Sequence, residues 1–267
     1  MILTSRLLPI SLLTLALLGC ATDEPAADEA GSTGETGDTS TDTASDTTET
    51  GAAMIDVSGD AFAFTLPGQD YGRIADATLT VLEQPEFTTT TDAEGHFELL
   101  GLPAGSQATF TLSAPGFPAA RTKTFTLPEQ GPLERVTFQV PDDSLFEALA
   151  SVVGVAIDPG TCQLVSTVTR VGKSIYDAGA HGEAGATVTI SPALPAELGP
   201  VYFNASVIPD MTLTETSEDG GIVFVNVPPG EYVLSAHKDG VVFEDVIMQC
   251  AAGVLVNASP PFGLQAQ

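Results

Sequence analysis

The sequence has no tryptophan and very few basic side chains. Only 8 Lys and Arg residues stand against 35 Asp and Glu residues, which gives a formal net charge of −27 at pH 7. Binding to nucleic-acid phosphates depends on Lys and Arg, so this balance excludes a nucleic-acid partner. No run of 18 uninterrupted apolar residues occurs, and therefore a membrane-spanning helix is not expected.

Residues that carry chemistry are also scarce. The three histidines, His96, His181 and His237, are far apart and form no His-x-x-His or His-Glu-x-x-His pattern. We therefore expect no metal site and no cofactor. The Gly-x-Ser-x-Gly nucleophile motif and a phosphate-binding glycine loop are both missing, so we expect no catalytic residues and no enzyme activity.

The N-terminus is typical of an export signal. Arg6 precedes a mostly apolar stretch from Leu7 to Leu18, which is followed by Gly19 and Cys20. The run from Leu17 to Cys20 resembles the lipobox of bacterial lipoproteins, whose first mature residue is a lipidated cysteine. The resemblance implies that residues 1–19 are a signal peptide and that Cys20 anchors the chain to a membrane by acyl chains. An ordinary cleaved signal peptide is the alternative. We expect the envelope of a Gram-negative bacterium, at the outer membrane or cell surface.

Residues 20–53 form a region of low complexity. Between Ala21 and Ala53 the chain has nine acidic residues, no Lys or Arg, no aromatic residue and one proline. Such a segment buries too little apolar surface to offset its conformational entropy. We therefore predict a disordered acidic tether, with a partner-binding tail as the alternative.

From Met54 onward the chain changes to short alternating runs separated by Gly, Pro and Asp. The run from Ala61 to Leu66 places Phe62, Phe64 and Leu66 on one face, and similar alternation occurs in the runs 77–81, 109–114 and 136–140. Such alternation predicts half-buried strands of antiparallel sheets. Turn signals every 8 to 12 residues or so favour a sandwich of short strands. One short helix is expected after a cap at Asp142 or Asp143, ending at Gly154.

An internal duplication defines two β-units. Thr91-Asp92-Ala93-Glu94-Gly95, a strand and Leu102-Pro103-Ala104-Gly105 recur as Thr216-Ser217-Glu218-Asp219-Gly220, a strand and Val227-Pro228-Pro229-Gly230. We therefore assign residues 54–141 and 142–267 to two tandem Ig-like or prealbumin-like β-sandwiches, an all-β fold. Asp92 is expected to nucleate its turn, Gly95 and Gly220 to supply positive φ, and Gly105 and Gly230 to form second reversals.

These motifs resemble the carboxypeptidase regulatory-like family. The first copy matches its pattern at Ala75 to Val81, Thr91 to Phe97, Leu102 to Gly105 and Ala114 to Phe117, and the second at 184–190, 216–222 and 227–234. The resemblance implies a transthyretin-like β-sandwich. Domains of this family accompany peptidases, precede outer-membrane receptors or occur alone on surface lipoproteins. The family provides no catalytic residue to transfer.

Cys162 and Cys250 are the only other cysteines besides Cys20. An exported protein meets an oxidising compartment, and first and last strands are often neighbours in sandwiches. We predict a disulfide between these two residues, with two buried free thiols as the alternative.

The ligand is expected in an insert of the second copy, from Gly160 to Glu183. Asp177, His181 and Glu183 are the least explained polar group there, and long loops on rigid sandwiches tend to carry function. Surface aromatic side chains suited to stacking on sugars are limited to Tyr71, Phe117 and Tyr202. We expect a non-catalytic module that binds a glycan, an envelope polymer or a protein, or that acts as a spacer. An accessory subunit of a separately encoded peptidase or receptor is the alternative.

Overall fold

The computed structural model describes residues 53–66, 68–174, 177, 181–259 and 261–267. The predicted signal peptide, Cys20 and nearly all of the tether lie outside these residues. Thr50–Gln267 form one compact unit. Where it is described, the chain is almost entirely β-structure with a single α-helix, as the alternating sequence predicts.

The described part of the first half contains eight strands. They are β1 (Met54–Phe64), β2 (Gly72–Arg73), β3 (Thr78–Val81), β4 (Thr88–Thr90), β5 (His96–Pro103), β6 (Gln107–Ser113), β7 (Ala119–Thr126) and β8 (Leu133–Pro141). In one sheet β1 lies between β8, which runs parallel to it, and β5 with β2, which run antiparallel. The second sheet has the order β4-β3-β6-β7. The core between the sheets includes Leu79, Phe97, Phe110, Leu112 and Phe138.

The inward face of β1 differs from the expected one. Ile55, Val57 and Ala61 are buried in the core, whereas Phe62 and Phe64 are only partly buried on the other face and Leu66 is exposed. The reason is the close approach of β8. A Cβ at Gly59 would lie 1.6 Å from the Val136 carbonyl oxygen, so this part of the strand needs small residues on the inside.

Helix α1 (Asp143–Val153) follows β8 and connects the halves. The Asp142 carboxylate accepts a hydrogen bond from the Leu145 backbone N–H, and Gly154 ends the helix in the left-handed conformation at φ 72°. The predicted cap and stop are confirmed, and the helix is longer than the sequence suggests. None of its side chains is fully buried, although Phe146, Leu149 and Val153 lie on one face.

The described second half contains nine strands. They are β9 (Cys162–Thr169), β10 (Thr187–Ser191), β11 (Val201–Phe203), β12 (Pro209–Asp210), β13 (Gly221–Val227), β14 (Gly230–His237), β15 (Val246–Cys250), β16 (Val254–Asn257) and β17 (Leu264–Gln265). One sheet has the order β16-β9-β13-β11-β12, and the other has β10-β14-β15. Cys162 on β9 and Cys250 on β15 form a disulfide across the two sheets, with Cα atoms 5.8 Å apart.

The two halves repeat one topology. β9 pairs antiparallel with β13 and parallel with β16, just as β1 pairs with β5 and β8. β10-β14-β15 repeats β3-β6-β7. The repeat extends to single hydrogen bonds, because buried Thr91 accepts from the Ala77 N–H and donates to the Ile74 carbonyl, while Thr216 does the same with Ala186 and Glu183.

Strand β7 joins the halves into one hydrogen-bonded structure. One of its edges pairs with β6, and the other pairs with β16 at Ala119, Ala120 and Arg121 and with β15 at Thr124. The Arg121 guanidinium donates to the Gln249 carbonyl at 2.9 Å, and the Lys123 ammonium donates to the Phe262 carbonyl at 3.0 Å. Burial lowers the pKa of both basic groups. The sheets thus continue across the junction instead of ending at a linker.

Candidate functional site

The repeated turn of the first half is held by its own side chains. Asp92 Oδ1 accepts from the Glu94 N–H at 3.0 Å and from the His96 N–H at 2.8 Å. Gly95 has φ 76°, and a Cβ there would lie 2.6 Å from the Ala61 carbonyl oxygen. Gly105 also has a positive φ, of 68°. The Asp92 carboxylate therefore stabilises a turn.

The second copy of the turn has the same design. Ser217 Oγ accepts from the Asp219 N–H at 3.1 Å, and Gly220 has φ 78° with a Cβ position 2.3 Å from the Val168 carbonyl oxygen. Gly230 ends the short connection through Pro228 and Pro229 by which the chain passes from β13 to β14. It is the first residue of β14, pairs with Cys250 and does not have a positive φ.

The prediction of an insert from Gly160 to Glu183 is wrong for the first half of that segment. Cys162–Thr169 form β9, a central strand that is buried at every position except Val165, so the connecting segment begins only at Arg170. The error arose because β9 is rich in Ser, Thr and Gln, which read as loop residues. These side chains are buried because helix α1 and the first half cover the outer face of the strand.

The three polar residues singled out in that segment do not form one group. Asp177 accepts from the Ser174 N–H at 2.7 Å, and this hydrogen bond lowers the pKa of Asp177. Glu183 forms an ion pair with Lys238, whose ammonium also donates to the Ala184 carbonyl. Only His181 reaches a cavity. Asp177 and Glu183 therefore hold local structure.

A cavity of about 180 Å³ lies between the two halves and is here called the junction cavity. One wall is the apolar face of α1, and the opposite wall is the outer face of β9, β13 and β16. A third wall comes from the first half, including the outward-facing Phe64. Its principal lining residues are Phe64, Tyr71, Phe146, Leu149, Ala150, Val153, Val165, Val223, Val225, Leu255, Thr167, His181, Asp219 and Ser259.

Asp219 and His181 lie at one end of the junction cavity, whereas Gln163, whose amide is bonded to Asn226, lines it four residues along β9 from Thr167. The β9–β13 register places Thr167 opposite Gly221, whose N–H donates to Asp219 Oδ2 at 3.0 Å. A Cβ at Gly182 would lie 2.3 Å from the Asp219 backbone, so this glycine lets the neighbouring His181 approach Asp219. The walls further along β9 are the apolar side chains Val165 and Val225.

Most polar side chains of the cavity are bonded to each other. Thr167 donates to Ser259 at 3.0 Å, and the Asn257 amide donates to the Gln139 carbonyl at 2.9 Å. Among the described residues, the second carboxylate oxygen of Asp219 accepts no hydrogen bond, and the His181 ring has no hydrogen-bond partner. Partial burial raises the pKa of Asp219, against the opposing effects of the Gly221 N–H and His181.

The sequence predicts two of the lining residues, His181 as a ligand residue and Tyr71 as a surface aromatic, but it assigns Asp219 only to a turn. It does not bring these residues together, because the parts of the site are distant in the chain. The apolar positions Val165 and Val223 alternate as any strand does. Of the three proposed surface aromatic residues, Tyr71 lines the cavity, Phe117 packs against the first core, and Tyr202 is buried with its hydroxyl accepting from the Val188 N–H. Tyr202 as a surface aromatic is therefore wrong.

In the part of the chain that the structure describes, no three or more His, Cys, Asp or Glu side chains are grouped to hold a metal ion. Within the same residues, α1 is the only α-helix, and no helix has the length and apolar character needed to cross a membrane.

Comparison with solved structures finds bacterial proteins of low identity, two of them pilins. The chain is 14% identical to the Bacillus anthracis TIE protein over 80% of this chain, with a TM-score of 0.26, and spans only 34% of that protein. A minor pilin of Streptococcus agalactiae is 11% identical over 79% of this chain and 95% of its own, with a TM-score of 0.25. Shaft pilin SpaA of Lactobacillus rhamnosus GG is 12% identical over 80% and 97%, also with a TM-score of 0.25.

No curated protein matches the chain. A family model does match the first half, over residues 68–141, from the segment before β2 to the end of β8. The match includes the Thr91–Gly95 turn and the strands on both sides of it. Residues 68–141 of this chain thus match the model of the carboxypeptidase regulatory-like domain.

Proposed function

We propose that the chain is a non-catalytic lipoprotein of the cell envelope, whose two β-sandwiches form one binding module on a lipid anchor at Cys20. The observation that carries the proposal is the junction cavity. Both halves and α1 contribute to it, its walls are mostly apolar, and Asp219 and His181 lie at one end. Such a cavity is the usual form of a small-molecule binding site.

The chemistry of the candidate acidic residues also favours binding. The Asp92 carboxylate accepts hydrogen bonds from two backbone N–H groups, and the Asp177 carboxylate accepts one from Ser174. The Glu183 carboxylate forms an ion pair with Lys238. At the polar end of the cavity, the Ser259 hydroxyl accepts from Thr167. Asp219 and His181 are the titratable groups at this end, while Tyr71, the third titratable group of the lining, belongs to the wall from the first half. A hydrogen-bonding pair of this kind orients a ligand.

The test for activity uses residues 50–267, which form one compact unit. We expect this fragment to be inert toward peptide, ester and glycoside substrates, with or without added zinc or calcium. Turnover that survives repurification and disappears in Asp219→Asn or His181→Ala would overturn the proposal. A control with Asp92→Asn separates loss of a turn from loss of a reacting group.

The anchor is tested separately in cells. The wild-type chain is expected in the membrane fraction and to be extracted only by detergent, whereas Cys20→Ala is expected in the soluble fraction. Detergent-only extraction of Cys20→Ala would show that lipid on Cys20 does not hold the chain.

An accessory role for a separately encoded peptidase or receptor is the second candidate, supported by the regulatory-like domain at residues 68–141. Crosslinking in intact cells followed by identification of a single stoichiometric peptidase or receptor would favour this role.

A further inference from the structure

The duplication provides an internal comparison for the outer face of the cavity strands. The β1–β5 register pairs Ser58 with Glu98 at the position where β9–β13 pairs Val165 with Val223. Two residues further along these strands, Asp60 and His96 occupy the positions that Thr167 and Gly221 occupy in the second half. The side chains of Asp60 and His96 are 3.4 Å apart. At the position of the Ser58–Glu98 and Val165–Val223 pairs, the same sandwich face is therefore polar in the first copy and apolar in the second.

This difference shows that the sandwich itself does not need apolar side chains on that face. Val223 and Val225 are buried in a small cluster with Val153 of α1, so packing against the helix accounts for part of this difference. About 180 Å³ of partly open space nevertheless remains beside these side chains. The apolar side chains that line this space are available to a ligand.

The size and charge of the site define the ligand. An engineered apolar cavity of about 150 Å³ holds benzene, so the junction cavity has room for one ring or a short alkyl group with a small head. At the polar end, one Asp219 oxygen is held by the Gly221 N–H, and the other faces no hydrogen-bond donor among the described residues. A net charge of −27 attracts cations and repels anions.

We propose that the junction cavity binds a small amphiphilic amine, with an aromatic or short alkyl body along Val165, Val225 and α1 and an ammonium head at Asp219. The ammonium group donates a charge-assisted hydrogen bond to the carboxylate. The His181 ring lies at the same end of the cavity and offers a second polar contact. This inference rests on the proposed binding function and names the ligand class for it.

The test is calorimetric titration of residues 50–267 at pH 7 and low salt with three probes of similar shape: phenethylamine, 2-phenylethanol and 3-phenylpropanoate. We expect the amine to bind at least about tenfold more tightly than the alcohol, since hydrogen bonds to charged groups exceed neutral ones by about that factor. The carboxylate is expected to bind most weakly. Asp219→Asn should bring the amine and the alcohol to within about threefold of each other.

Matched helix variants test the body of the ligand. Ala150 lines the cavity, whereas Ala148 is on the exposed face of the same helix. Ala150→Leu should fill the space and abolish binding of all three probes, and Ala148→Leu should bind like the wild type. Asp219→Asn leaves the volume nearly unchanged, so it remains informative if Ala150→Leu does not fold.

The outcomes are distinct. No binding of the amine at millimolar concentration, binding unchanged by Ala150→Leu, or a preference for the carboxylate would each overturn the ligand class. In those cases, binding of another molecule without turnover would leave the proposed function intact. Turnover of any substrate at Asp219 would remove the proposed function itself.

Discussion

Leu255 connects the two halves, and its removal tests whether they unfold as one unit. The residue belongs to β16 in the second half, yet its side chain is 3% exposed and packs in the core of the first half. Its neighbour Val256 is fully buried in the core of the second half. Adjacent residues of one strand thus report on two different cores.

Because β7 pairs with both β15 and β16, we expect the wild-type fragment to unfold in a single transition with equal calorimetric and van't Hoff enthalpies. Leu255→Ala should lower the free energy of unfolding by about 2–5 kcal/mol, the usual cost of truncating a buried leucine. Val256→Ala removes fewer carbon atoms and should cost about 2 kcal/mol. Both variants should shift the same transition.

Urea titration followed by far-UV circular dichroism gives the free energies, and scanning calorimetry gives the number of transitions. Val242→Ala is the control, because Val242 is 67% exposed and its truncation should change stability by less than about 0.5 kcal/mol. Two wild-type transitions, one shifted only by Leu255→Ala and the other only by Val256→Ala, would refute the shared unit.

Three further predictions concern single sites. When residues 50–267 are unfolded without reduction, no thiol should react with a labelling reagent, and two reactive thiols would disprove the disulfide. Replacing both Cys162 and Cys250 by Ala should lower the free energy of unfolding by about 4 kcal/mol in the chain-entropy model. The raised pKa of Asp219 means that the folded chain retains a proton that the unfolded chain loses above about pH 3.8, so stability falls as pH rises through that window. Asp219→Asn should remove this part of the slope in urea titrations at several pH values, and an unchanged slope would contradict the assignment. Gly220→Ala should lower the free energy of unfolding by well above about 1 kcal/mol, because the added Cβ meets backbone atoms. Gly116→Ala, at a similar φ in open space, should lower it by about 1 kcal/mol. Equal losses of stability in the two variants would contradict the close contact at Gly220.

The repeated pattern made the fold largely predictable from the sequence. The alternation in 77–81 and 136–140 and the turn at Thr91 to Gly95 depend on local physics, namely the period of a strand and the φ of glycine. The second copy of that turn supports the same prediction, because two segments with the same pattern are expected to fold alike. Helix α1 was predictable for the same local reason, from its aspartate cap and its terminal glycine.

The errors occurred where tertiary contacts override local pattern. Phe62 and Phe64 have the alternation of core residues, but the close approach of β1 to β8 at Gly59 places small residues inside. The segment of β9 reads as a polar loop because its Gln163 and Thr167 are buried only by elements from elsewhere in the chain. The pairing of β7 with β15 and β16 joins residues more than 120 positions apart, and no local signal encodes it.

The position of the junction cavity links binding to the cooperativity of the whole unit. Leu255 lines the cavity and also packs in the first core, so a ligand seated there contacts side chains of both halves. A ligand that binds only the folded chain stabilises it by about 2.7 kcal/mol at a hundred times its dissociation constant. Phenethylamine should therefore raise the temperature at which the wild type unfolds in its single transition. In Leu255→Ala the enlarged cavity leaves the amine fewer contacts, and a smaller upward shift is expected. An equal shift in both proteins would place the amine away from Leu255.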